Sequence, residues 1–125
     1  MIKFFPEHTN WYKGNLHSHT TISDGLLQPE EAVQVYREHG YQFLALSEHD
    51  IFTDFRDQFN TEDFIMIPAV ESSAILYQGA HGGNRLKIHH LHGILGTSEM
   101  QQQAKAPLFR HMEYIPPRKY FGNWP

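Results

Sequence analysis

The stretch QPEEAVQVYREHG, residues 28–40, constrains the fold more than any other, because it carries a full set of helix signals. Pro29 suits the first helical position, Glu30 and Glu31 suit the positive end of the helix dipole, and Gly40 supplies a stop. Ala32, Val33, Val35, Tyr36 and His39 trace one face to be buried. Extended segments lie on both sides. YKGNLHSHT alternates and reads as a strand ending near Thr20, with Asn15, His17 and His19 on one side and Leu16 and Ser18 on the other. YQFLALSEHD is a nearly continuous apolar run, the pattern of a strand buried on both faces of a parallel sheet, with Ser47 to Asp50 emerging at its C-terminal end.

The pattern continues to about Gly96. TDFRDQFNTEDF reads as a short helix with Thr53 as N-cap. FIMIPAVESSAILY returns to strand, with Pro68 marking an edge or bulge. QGAHGGNR is a glycine-rich turn into LKIHHLHGIL, so residues 70–95 read as a hairpin. On its second strand Ile88, His90, His92 and Ile94 share a face and His89 points the other way. After Gly96, SEMQQQAKAP has room for a helical turn, and EYIPPRKYFGNWP is aromatic, proline-rich and irregular. The order of strand, helix, strand, short helix, strand, strand predicts one α/β domain, residues 1–125, with a mainly parallel sheet and an irregular tail over 97–125.

Composition narrows the chemistry. The 125 residues include no cysteine, so a metal site here is built from imidazole and carboxylate. Ten histidines match the ten lysines and arginines, and they are dispersed rather than clustered as a tag. A net charge of −4 argues against duplex nucleic acid as a partner and, with no basic run, against a proofreading nuclease. MIKFFPEHTNW is broken by Pro6 and Glu7 before a signal-peptide core forms, and no apolar run approaches a membrane span, which makes the cytoplasm the default location.

The histidines and acids gather where apolar segments end. His17 and His19 lie about 6–7 Å apart along a strand, close enough for both imidazoles to lean onto one cation or a close pair. Asp24 follows across the SDG turn. His49 ends the next strand, Glu71 the third, and His90 sits on the fourth, with His92 in reserve. Each has a bland reading alone: a turn carboxylate, a strand cap, a packed histidine. Together they are ionisable groups placed at the rim of an apolar sheet, costly to desolvate without a partner, and a divalent cation is such a partner.

WYKGNLHSHTTISDG, GYQFLALSEHD, IPAVESS and HHLHGIL together resemble the successive motifs of the PHP (polymerase and histidinol phosphatase) family over residues 11 to about 96. The resemblance implies a distorted β/α barrel and a phosphoester hydrolase using one to three zinc, manganese or iron ions. It implies His17, His19, Asp24, His49, Glu71 and His90 as metal ligands, and a catalytic set of His17, His19, His49 and His92, with His92 available to protonate the leaving oxygen. His90 is preferred to His92 as ligand because HLHG matches the family's fourth motif. Two departures stand out. Glu48 replaces the usual Asp before His49, which touches the surroundings of the ligands. The family's later His-Pro and Asp-x-His motifs have no counterpart, since His111 is the sole histidine after Gly96. The expectation is therefore the N-terminal half of a PHP domain: a truncated piece, a natural fragment that completes its barrel by association, or a minimal domain with fewer metals, with the open sheet edge covered by the tail and by self-association. The expected substrate is a phosphomonoester or related phosphoester, with Arg85 able to contact its phosphate or to serve only as a solvated hairpin residue. The alternative is a metal-binding scaffold without turnover.

Overall fold

The computed structural model describes residues 9–77 and 85–100. The glycine-rich turn expected around 78–84, the N-terminal patch before residue 9 and the irregular tail beyond residue 100 lie outside the described residues. The elements run β1 (Gly14–Asn15), α1 (Pro29–Glu38), β2 (Phe43–Leu44), α2 (Arg56–Phe59), β3 (Ile65–Met66), β4 (Ala69–Tyr77) and β5 (Arg85–Ile94). They build a three-stranded parallel sheet, β1-β2-β3, and a two-stranded antiparallel sheet, β4-β5.

Helix α1 forms where its signals stand. Pro29 opens it, the Glu31 carboxylate accepts from the Gln28 amide at 2.9 Å, and Gly40 follows it at φ 75°, the left-handed region that favours glycine. Its buried face is narrower than the periodicity predicts. Ala32 and Val33 are buried and Tyr36 packs on the core, whereas Val35 and His39 are exposed. Those two line a cleft of about 320 Å³ with Lys13, Tyr36 and Tyr41. Lys13 Nζ there donates to the His39 carbonyl at 2.8 Å.

The parallel strands are shorter than their apolar runs. Gly14 pairs with Phe43, Asn15 with Leu44, and these with Ile65 and Met66. Beyond the ladder the backbones stay adjacent, with the Ala45 amide donating to Asn15 O and the Ser47 amide to Ser18 O, both at 2.8 Å. Ser47 and Glu48, expected to emerge, are instead fully buried. Leu44, Leu46, Phe64 and Met66 meet Ala32 and Val33 in the core, with Tyr36, Tyr41, Phe55 and Phe59 packed around them.

Pro68 divides the segment expected as one strand. β3 pairs with β2 on one side of it, and β4 begins one residue after it and turns to pair with β5. The proline has no N–H to carry a ladder across the junction. Two bridges tie the sheets together, His49 with Glu71 in parallel and Thr53 with Ala69 in antiparallel sense. Thr53 is thus a buried bridge residue whose hydroxyl donates to the Leu46 carbonyl, and the N-cap of α2 is Phe55.

Candidate metal centre

The segment 15–25 leaves β1 and is held in place residue by residue. The Asn15 side chain accepts from the His17 amide at 3.2 Å and donates to the His17 carbonyl at 2.9 Å, while its amide also donates to Tyr36 Oη at 2.7 Å. Tyr36 in turn donates to Ser18 Oγ at 3.2 Å. Asn15 therefore faces α1 and clamps the backbone, while His17 and His19 project toward β4. At the far end of the segment Thr20 is fully buried, and the amides of Ser23 and Gly25 both return to its carbonyl, closing the turn that carries Asp24.

The histidines converge on Glu71, the third residue of β4, which is 3% exposed. Its Oε2 lies 3.0 Å from His17 Nε2, 3.0 Å from His19 Nε2 and 3.7 Å from His49 Nδ1. Its Oε1 lies 2.6 Å from His90 Nδ1 and 3.8 Å from His92 Nε2. Five imidazoles from three segments thus surround one carboxylate. Asp24 joins from the rim, 3.7 Å from His19 Nδ1 and 3.4 Å from His49 Nε2, with its side chain 65% exposed. Ring contacts tighten the cluster: His17 meets His92 edge-on at 4.1 Å between centroids, and His19 stacks on His49 at 4.4 Å.

Two sets of three donors lie within 4.8 Å of one another: His17, Glu71 and His92, and His19, His49 and Glu71. They share Glu71. All six residues expected as ligands are therefore brought to one place. His92 adjoins them, completing one of the two sets, while His90 makes the shortest contact to Glu71. Glu71 and the two β5 histidines lie inside the antiparallel hairpin, not at the ends of parallel strands. The hairpin delivers them because Ser73 pairs with His90 and Glu71 with His92, so side chains of alternate residues fall on one face.

The donors fit a divalent ion of intermediate softness, since all are imidazole nitrogen or carboxylate oxygen. His19 Nδ1 is buried without a hydrogen-bond partner and faces Asp24 at 3.7 Å, beyond hydrogen-bond reach. Burial pushes the Glu71 carboxyl upward, but the hydrogen bond with His90 and the charges of His49, His92 and His17 outweigh it and hold Glu71 below its ordinary value. His92 is held below the usual imidazole value, first by burial and then by the positive His17, with Glu71 opposing. Both shifts favour the deprotonated donors that a cation requires.

Sequence reasoning set Glu48 among the surroundings of the ligands but missed its partners Thr20 and Ser23, and Asp50. Glu48 is wholly buried, and its carboxylate accepts from the Thr20 amide at 2.9 Å, the Thr20 hydroxyl at 2.6 Å and the Ser23 hydroxyl. Asp50, at φ 56°, accepts from the Ser73 amide at 2.8 Å and so links the loop after His49 to β4. The available signal was the concentration of Asn, Thr, Ser and Asp between and after the histidines. The chain matches no protein-family model and no curated protein sequence. Among the described residues no helix is long and apolar enough to cross a membrane.

Proposed function

We propose that this chain is a metal-dependent phosphoesterase of the PHP type, hydrolysing a small phosphomonoester at the Glu71 cluster. The observation that carries the reading is the sharing of one buried carboxylate by two three-donor groups. That arrangement suits two cations held close together, and the resemblance of residues 11 to about 96 to the PHP motifs points to the same chemistry. His17, Glu71 and His92 would hold one ion, and His19, His49 and Glu71 another, with Asp24 and His90 completing the shell. The chemistry supplied by such ions is activation of water near neutral pH and neutralisation of charge on the phosphoryl oxygens.

The protein's own groups do the remainder. Glu71 fixes the spacing between the two donor groups. The Asn15 clamp sets the direction of His17, and the 20–25 turn presents Asp24 to His19 and His49. A distorted β/α barrel, acting in the cytoplasm, accompanies this reading.

The test is metal content per chain followed by hydrolysis of an aryl phosphate with manganese or zinc. Two or more ions per chain, with turnover abolished in His19→Ala and Glu71→Gln, are expected. One ion or none, and no turnover with any metal, would favour the second reading: a metal-binding scaffold.

A further inference from the structure

Glu48 is a fully buried carboxylate whose hydrogen bonds run to neutral donors: the Thr20 amide and hydroxyl and the Ser23 hydroxyl. Sinking a carboxyl group into the interior is expensive even when it is hydrogen-bonded, and an apolar residue of similar size would pack there without that cost. Its connections explain its presence. The side chain grips residues 20–23, the start of the turn that carries Asp24 and directly follows His19. Its own carbonyl accepts from the Glu71 amide at 3.0 Å. The next residue is His49, which bridges to Glu71. One residue therefore joins the loop bearing His19 and Asp24 to the strand pair bearing His49 and Glu71.

Leucine or methionine could fill the same volume but could not take three hydrogen bonds at once. Thr20 and Ser23 lie three residues apart, so gripping both fixes the curvature of the turn as well as its distance from the strand. Removing the grip frees the turn to rotate, and a shift of even a fraction of an ångström in Asp24 or His19 misaligns donors that must meet one cation.

We propose that Glu48 is a positioning residue, splinting the 20–25 turn against the ends of β2 and β4 so that the His19, His49 and Glu71 group is set for a divalent cation. This rests on the metal-centre reading above. The side chain does not enter the donor groups itself, so its effect is on how well they are arranged.

Cobalt(II) titration of the full 125-residue chain tests this, because its visible absorption reports ligand geometry apart from any activity. Glu48→Gln keeps the shape and one acceptor oxygen but loses the second acceptor facing Ser23. It is expected to weaken cobalt binding about 10- to 100-fold, as loss of a group that orients metal ligands does, and to alter the absorption band. The melting temperature of its metal-free form should stay close to wild type. Ser23→Ala, which removes one donor from outside the strands, should give a smaller loss in the same direction. Cobalt affinity and spectrum unchanged in Glu48→Gln overturn the proposal. Should that variant fail to fold, an unchanged affinity and spectrum in a folded Ser23→Ala overturn it equally. A wild-type chain that takes up no cobalt overturns the metal reading itself, a result separable from either.

Discussion

Glu71 shows how much one residue can organise. It is an acid inside a strand with histidines on every accessible side, and its chemistry depends on their charge state. In the chelated, metal-free protein two groups of this cluster, both with lowered folded values, set a pH dependence. His92, facing His17, His19, His90 and Glu71, titrates in the folded state below its ordinary 6.5, so its contribution is complete above pH 6.5 and falls away as pH drops beneath it. Glu71, facing His90, His49, His92 and His17, is held below 4.5, so its contribution is present above pH 4.5 and lost as pH falls through the lower folded value. Both make the unfolded chain bind more protons, and stability rises with pH in each window. Urea midpoints of chelated protein between pH 7.5 and 3 should therefore fall in two stages, and His92→Gln should remove the upper one. A flat midpoint from pH 7.5 to 5 would contradict the assignment. The meeting of these histidines and acids was legible in the sequence, because histidine and acid at the ends of apolar runs have few cheap explanations. The partners Asn15, Thr20 and Ser23 were not, since a polar residue near a turn has many partners to choose from and spacing does not select among them.

At the scale of elements, legibility followed the number of independent local signals. Helix α1 has a proline start, a paired acid at its first turn and a glycine stop, and it forms over Pro29–Glu38. The strand over 41–50 was judged from its apolar run, which measures burial and not pairing. Residues 45–48 are buried yet carry no strand assignment, because the chain there leaves the ladder to reach the bridge with Glu71. Thr53 was read as a cap because threonine suits caps, but it suits strands equally, and the Ala69 backbone decided the matter. The turn after β1 was legible as Asp-Gly, yet its tightness was not. A Cβ added at Gly25 would overlap the His19 carbonyl and crowd the Thr20 amide, and backbone atoms have little room to give. Gly25→Ala is expected to destabilise the protein by about 1–3 kcal/mol, the usual range for overpacking. It should also weaken metal binding, because the displaced atoms belong to His19 and to the residue Glu48 grips. Denaturant unfolding and metal titration of the variant measure the two effects. Loss of stability with metal binding intact would show that the turn can move without moving its donors.

For the whole molecule, the described residues combine a small parallel sheet, one well-signalled helix and a long hairpin, with the histidine and carboxylate cluster at the junction between the two sheets. The core beneath that junction is modest, built from Ala32, Val33, Leu44, Leu46, Phe64 and Met66. The junction itself is held by two isolated bridges and by polar contacts through Glu48, Asp50 and Glu71. A cation bound there would tie together 17–24, His49, Glu71 and 90–92, segments far apart in the chain, and none of them is held in register when the chain unfolds. Binding to the folded state alone stabilises it by about 2.7 kcal/mol at a free ligand concentration of 100 Kd. The protein saturated with zinc or manganese should accordingly melt well above the chelated form, and the difference should disappear in Glu71→Gln, which damages both donor groups at once. His19→Ala and His92→Ala each touch one group and should each retain part of the increment. Their two losses should not simply add, because both groups share Glu71 and sites with a common partner couple. Equal melting temperatures with and without metal in the wild-type chain would mean that the junction does not close around an ion.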